Sequence, residues 1–239
     1  MPVRLPHIPA KSHTLASYRH YELLVHAYVV VLLVSNLVGQ KPTQIGPFIF
    51  SGAQLLFPIT YIFSDVFTEV YGYAGSRRAI WLGFFACLLM GFFGLFMVWI
   101  PPAPAWPAAY QRAFEIVFQT AARGILASLA AFWVGEFINS YVMARMKVWT
   151  RGRWLWSRTI GSTVAGQAAD SLIVTFGLFA FVLPVKTILI MAGSGYLAKV
   201  IYEATMTPLT YLVVRFLKKS EGVDVYDEGT EFSPFKKDR

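Results

Sequence analysis

Asp65 and Glu69 stand four residues apart within Gln54-Leu-Leu-Phe-Pro-Ile-Thr-Tyr-Ile-Phe-Ser-Asp-Val-Phe-Thr-Glu-Val-Tyr-Gly-Tyr73, a stretch apolar enough to enter a lipid bilayer. On a helix, residues four apart share a face, and Gln54, about three turns before Asp65, returns to that same face. A polar seam therefore climbs an otherwise apolar helix. Each such group in lipid costs roughly 2.5–3.5 kcal/mol on insertion scales, so it faces a bundle interior or a water-filled cavity and reads as a functional site. Carboxylates held this way can accept N–H donors from a solute, bind a proton or accompany a cation. Pro58, inside the run, is expected to kink the helix and to offer a hinge.

The other apolar segments carry their own polar groups: Asn36 near the end of the first, Arg123, Glu136 and Asn139 in the fourth, Gln167 and Asp170 in the fifth, Lys199 and Glu203 in the sixth. Two cations cannot neutralise every acid in this set. Some acids can pair with them while others are protonated or hold a solute, because desolvation raises a carboxyl pKa and a neighbouring cation lowers it. The pattern leaves open which acid does which. Plainer roles compete: Lys199 and Glu203 could form an ion pair on one helix face, Glu136 and Asn139 could hydrogen-bond between helices, and Glu69 with Tyr71 could be interfacial. His26 and Cys87 are expected to pack, and Gly91, Gly94, Gly161 and Gly166 to allow close helix approach.

These groups need membrane helices to hold them, and the composition supplies them. Of 239 residues, 56% are hydrophobic and 14% charged, and the mean hydropathy is +0.53. That length accommodates about six spans of ~20 residues. The expected fold is all-α, a polytopic integral membrane protein of six transmembrane helices: about 23–38, 48–70, 79–100, 114–143, 159–183 and 188–217. The loop 72–78 joins the second to the third, the Pro101–Pro107 turn the third to the fourth, and Pro184-Val-Lys186 the fifth to the sixth. The expected organisation is a cytoplasmic tail over residues 1–20, a transmembrane domain over 21–217 and a cytoplasmic tail over 218–239. The single cysteine forms no internal disulfide.

Basic residues outside the spans fall on one side: Arg4, Lys11, Arg19, Arg77, Arg78, then Arg145, Lys147, Arg151, Arg153 and Arg158, then the C-terminal set, against Lys41, Arg112 and Lys186 on the other. The positive-inside tendency places both termini in the cytoplasm, which requires an even number of crossings. Trp99 and Trp106 mark one boundary, Trp149, Trp154 and Trp156 the opposite one. The net charge of +8 thus serves orientation, and no nucleic-acid partner, metal or cofactor is expected.

Phe57-Pro-Ile-Thr-Tyr-Ile-Phe-Ser-Asp-Val-Phe-Thr-Glu-Val-Tyr-Gly-Tyr73 with Arg77-Arg78 resembles the signature of the queuosine precursor transporter family, also called the vitamin uptake transporter family. Gly166-Gln-Ala-Ala-Asp-Ser171 is similar to that family's fifth-span motif, and Ala198-Lys-Val-Ile-Tyr-Glu203 with Thr207-Pro208 to its sixth. Ser35-Asn36 resembles its first, and Glu221–Phe235 its tail, so the likeness covers nearly the whole chain. It implies six helices related in fold to the substrate-binding subunits of energy-coupling-factor transporters. It also implies import of cyano- or aminomethyl-deazaguanine, precursors of the tRNA nucleoside queuosine, across a bacterial inner membrane. Some members carry another residue at the position of Glu69, which ranks Asp65 above it.

A guanine-like edge suits the polar set: adjacent N–H donors for a carboxylate, a carbonyl for Arg, Lys, Asn or Gln, and a flat face for aromatic stacking. Asp65, Asp170 or Glu136 is expected to accept from the edge, Gln167, Asn36 or Asn139 to complete the in-plane contacts, and Lys199 and Arg123 to tune the acids. Span four begins opposite span one, which permits two inverted three-helix halves. Apolar faces with small residues would allow a homodimer among lipid. Two other classes compete. One is a substrate-binding subunit that needs a separate energising module. The other is an intramembrane hydrolase, disfavoured by the lack of a Gly-x-Gly-Asp motif, a His-Glu-x-x-His motif or a Ser–His pair.

Overall fold

The computed structural model describes residues 7–9, 18–38, 42–45, 48–51, 56–119, 121–180 and 183–236. Its helices are α1 (Tyr21–Val38), α2 (Phe57–Trp99), α3 (Ala108–Gln119), α4 (Ala121–Trp149), α5 (Leu155–Phe179) and α6 (Val185–Glu221). Four short strands complete the order: β1 (His7–Pro9), β2 (Pro42–Ile45), β3 (Phe48–Ser51) and β4 (Asp224–Tyr226). β2 and β3 pair antiparallel, with Thr43 opposite Phe50. β1 and β4 pair parallel, with Ile8 opposite Val225, and so bring the two ends of the chain together.

α2 is a hairpin of two limbs. An unbroken helix of 43 residues would be about 65 Å long, and Phe63 and Gly83 would lie far apart on it. Yet the Tyr28 ring touches Phe63 and Phe67, with centroids 6.0 and 5.6 Å away, and also lies against Gly83, where an added Cβ would be 3.2 Å from it. The reversal falls at Gly72, with φ 75° and ψ 178°, the one residue of α2 outside helical geometry. Only glycine adopts that conformation readily.

From this hairpin the path of the chain can be followed by contacts. Tyr21 donates to the carbonyl of Gly75 at 2.7 Å and Asn36 reaches Cys87, so α1 runs alongside the second limb in the same sense. Ser76 meets Ser140 at 2.6 Å and Phe118 lies on Gly94, so α3 and α4 together return along that limb. Gly161 abuts Met146 and Gly177 abuts Ala127, so α5 runs back along α4. Thr159 faces Thr207 and Asp170 faces Lys199, so α6 reverses again. Six helical segments thus alternate in direction. The start of α1, Gly72, the α4–α5 turn and the end of α6 share one end of the bundle.

Three helices among the described residues are long and apolar enough to cross a membrane: Tyr21–Val38, Ile59–Trp99, which contains both limbs, and Val185–Glu221. The outward side of the second limb is a run of exposed Leu82, Phe85, Leu89, Phe92, Phe93 and Phe96, an apolar face suited to lipid chains. Inside, Tyr21, Tyr28, Phe67 and Tyr71 pack edge to face, the geometry favoured by aromatic quadrupoles.

Several expectations change. Phe48–Ser51 is strand, and the helix starts at Phe57; Pro58 is therefore in the first turn, where the missing N–H has no intrahelical partner to lose, and it kinks nothing. Residues 73–78 continue as helix after the Gly72 break. The long fourth segment is divided between α3 and α4, which puts Arg123 in the first turn of α4. The tail, expected to project, folds back: Val223, Val225 and Asp227 are buried, and the Asp227 carboxylate accepts the Tyr73 N–H at 3.0 Å. That contact caps the second limb just after the break, where helix N–H groups need an acceptor. Burial holds the Asp227 carboxyl above the usual range, against the Tyr73 and Thr230 hydrogen bonds that pull it down.

At Gly72 a Cβ would sit 2.8 Å from Val225 Cγ1, in backbone geometry that costs a non-glycine residue about 1–3 kcal/mol. Gly72→Ala is accordingly expected to lower stability by at least that amount in a denaturant titration of the detergent-solubilised protein. Gly193→Ala, where an added Cβ meets nothing inside α6, should shift stability the other way, because alanine is the better helix former by about 0.5–1 kcal/mol.

Candidate functional site

The seam of the first limb faces three other helices. Asn139 of α4 donates through Nδ2 to Ser64 Oγ at 3.4 Å and to Asp65 Oδ1 at 3.3 Å. Glu136, one turn earlier on α4, is held against Ser64, and Glu203 of α6 stands beside Asp65. Gly166 of α5 packs on the Gly135 carbonyl and the Asn139 Cβ, an approach only a residue without a side chain allows, and it brings Gln167 to the same level. Asp65, Glu136, Asn139, Gln167 and Glu203 are all buried.

What they leave unpaired is chemically uniform. Asp65 Oδ2, Glu136 Oε2, Asn139 Oδ1, Gln167 Oε1 and both carboxylate oxygens of Glu203 are buried with no protein N–H or hydroxyl donor to meet them, and the Asp65 and Glu203 carboxyls are close enough to share a hydrogen bond when one of them carries a proton. All of these atoms are acceptors. Buried polar atoms are nearly always paired, and leaving one unpaired costs about 1–3 kcal/mol. A donor-rich ligand would satisfy them together. Asp170 stands at the edge of this set with its charge met by Lys199 from α6, and both are partly exposed. Tyr61, one turn before Asp65, lies within electrostatic reach of Asp170, Glu136 and Glu203 and adds a ring to a site otherwise made of acids and amides.

Glu69, one turn beyond Asp65, belongs to a different assembly at the Gly72 end. Arg158 of α5 donates to both its oxygens, Nη2 to Oε1 at 2.7 Å and Nε to Oε2 at 3.2 Å. Lys218 of α6 donates to Oε1 at 2.6 Å, and Lys147 of α4 lies 3.7 Å away. Lys147 and Lys218 each also pair with Asp224 of β4 at 2.7 Å, and Lys147 donates to the carbonyls of Glu69 and Val225. Glu69, Lys147 and Arg158 are each about 1% exposed. Three cations and two carboxylates thus lock four helices and the tail at one point.

The structure sorts the expected residues accordingly. Asp65, Glu136, Asn139, Gln167 and Glu203 come together, with Asp170 and Lys199 beside them. Lys199 pairs across helices with Asp170 and not with Glu203 on its own helix. Asn36 is apart on α1, donating to the Leu32 carbonyl and to Cys87, and His26 is exposed. Gln54 and the Arg123 side chain lie outside the described residues. Sequence reasoning missed Tyr61, which falls on the seam one turn before Asp65, and Ser64, whose place beside Asp65 in the chain gives no such signal. It also counted Lys147 and Arg158 as loop charges. Their one available signal was an excess of basic residues close to an intramembrane acid that needed counter-charges.

An apolar-sided helical bundle with convergent buried acceptors defines a multispanning membrane protein with an internal polar site. The chain belongs to the vitamin uptake transporter family, whose model matches residues 51–213; it is a transporter and not an enzyme. It is 29% identical over 168 residues, 70% of this chain and 72% of the relative, to a protein of Bacillus subtilis (strain 168) named "Probable queuosine precursor transporter". No solved structure matches it.

Removing one partner from a buried ion cluster strands the others, a loss of about 3–5 kcal/mol. Lys147→Met should therefore cost about that much in an unfolding titration. Arg145→Met, which removes an exposed guanidinium resting on the Phe232 ring, should cost less than about 1 kcal/mol.

Proposed function

We propose that this protein imports deazaguanine precursors of queuosine, the cyano or aminomethyl form, across the inner membrane of a bacterium. The observation that carries this reading is the convergence of buried carboxylate and amide oxygens that no protein N–H or hydroxyl meets, from the first limb of α2, α4, α5 and α6. A guanine-like edge presents adjacent ring and exocyclic N–H donors, and Asp65, Glu136 and Glu203 would accept them. Asn139 and Gln167 would complete the in-plane contacts, since an amide both accepts and donates. Asp170 with Lys199, and Arg123 at the start of α4, would set the charge around the bound solute. Tyr61 offers a ring for its flat face. The name of the Bacillus subtilis relative points to the same solute class.

In this reading all six segments cross the bilayer, the two limbs of α2 separately, in the arrangement of energy-coupling-factor substrate-binding subunits. The Gly72 end faces the cytoplasm together with both termini, in keeping with the positive-inside tendency. Arg77, Arg78, Arg145, Arg151, Arg153 and Lys219 all belong to that end, against Arg112 and Lys186 at the other. The exposed apolar faces contact lipid and leave room for a homodimer.

Uptake of labelled deazaguanine by liposomes carrying the purified protein tests the assignment. Asp65→Asn replaces an accepting oxygen by a donor, and a charge-assisted hydrogen bond contributes about 1.5–3 kcal/mol, so uptake should fall roughly ten- to hundredfold. Asp170→Asn, which strands Lys199, should fall comparably. Wild-type uptake in both variants would sink the site.

A further inference from the structure

The polar site and the Glu69 cluster are built on the same four helical segments, one above the other. The first limb contributes Asp65 and then Glu69, one turn further on. α4 contributes Asn139 and then Lys147, about two turns further. α5 contributes Gln167 and, towards the same end, Arg158. α6 contributes Glu203 and, further along, Lys218. The lower residues therefore stand between a solute held among the upper ones and the Gly72 end.

The tail closes this end from outside. Asp224 enters the ion cluster, Val225 and Asp227 fill the space beside Gly72, and β4, which carries Asp224 and Val225, pairs with β1. Beyond it the chain runs over the second limb and α4. Tyr73 donates to the Phe232 carbonyl, Arg77 to that of Ser233 and Trp81 to that of Pro234. Phe232 packs against Tyr141 with centroids 5.0 Å apart, and Phe235 lies between Trp81 and Trp133.

We propose that the Glu69 ion cluster and the tail docked on it form the gate at this end of the bundle, which opens by exchanging these ion pairs and releasing the tail. The proposal rests on the import reading above. Ion pairs suit such a gate better than apolar packing does. Freed charges can be hydrated as water enters, whereas interdigitated side chains must be pulled apart against both dispersion and the hydrophobic effect. Asp224 makes the two halves of the gate one unit, because Lys147 and Lys218 each bridge it to Glu69.

Two measurements test this. In the first, amide hydrogen exchange is followed over residues 223–235 in Glu69→Gln and in the milder Lys218→Met. Exchange should quicken at least tenfold throughout the tail, including 232–235, which touch none of the cluster; unchanged exchange there in both variants overturns the gate as a unit. In the second, Tyr141→Cys with Phe232→Cys, in a Cys87→Ala background, is joined by a short cleavable bifunctional thiol reagent. Cross-linking should cut deazaguanine uptake at least tenfold, with recovery on cleavage, while binding by thermal shift persists from the opposite end. Full-rate uptake by the cross-linked protein overturns the proposal. Failure of the import reading looks different: the unmodified protein would neither bind nor take up deazaguanine, and the exchange result would stand unaffected.

Discussion

The burial of Glu69 is the constraint from which the architecture follows. An isolated carboxylate held at 1% exposure in an apolar bundle would be prohibitive, so each helix that packs near it must deliver a compensating charge to one place. α4 does so with Lys147, α5 with Arg158 and α6 with Lys218. The three cations then exceed the one acid, and Asp224 from the tail restores near balance. Four helices and β4 are thereby fixed in register by electrostatics at one end, while apolar packing such as that of Tyr28, Leu32 and Phe67 holds elsewhere. Swapping such a cluster for well-packed apolar residues is often neutral or stabilising, so its presence argues for specificity of arrangement more than for raw stability.

The second organising element is the single residue Gly72. It lets α2 reverse without a loop, so that Asp65 and Glu69 on one limb and Ser76 on the other point into the bundle within a few turns of each other. A loop there would need its own polar partners. Gly72 instead leaves the few backbone groups at the break to Asp227 and the tail, which is why the chain end is part of the core and not an appendage.

Much of this was legible in the sequence. The helical segments, their alternating direction and the inward placement of Asp65, Glu136, Asn139, Gln167 and Glu203 follow from period and polarity, since a charged group on an apolar helix has few places to go. Pairing was not legible. Lys199 and Glu203 are four apart and look like partners, yet the helix crossing carries Lys199 to Asp170. Arg158 and Lys147 looked like surface charges because a run of basic residues beside tryptophans is what a membrane boundary produces, and nothing local marks the two that turn inward. The tail was read as solvated because it is polar, whereas its carbonyls and carboxylates answer Tyr73, Arg77, Trp81 and Lys147, donors more than seventy residues away.

The closing strap has one more consequence, for how the molecule is assembled. Asp224 follows Lys147, Arg158 and Lys218 in the chain, and in the interval of folding before β4 docks those three cations have Glu69 alone to answer them. For that interval the cluster holds two more positive charges than negative ones. The Gly72 end of the bundle is therefore held apart by its own repulsion until β4 docks and draws it shut.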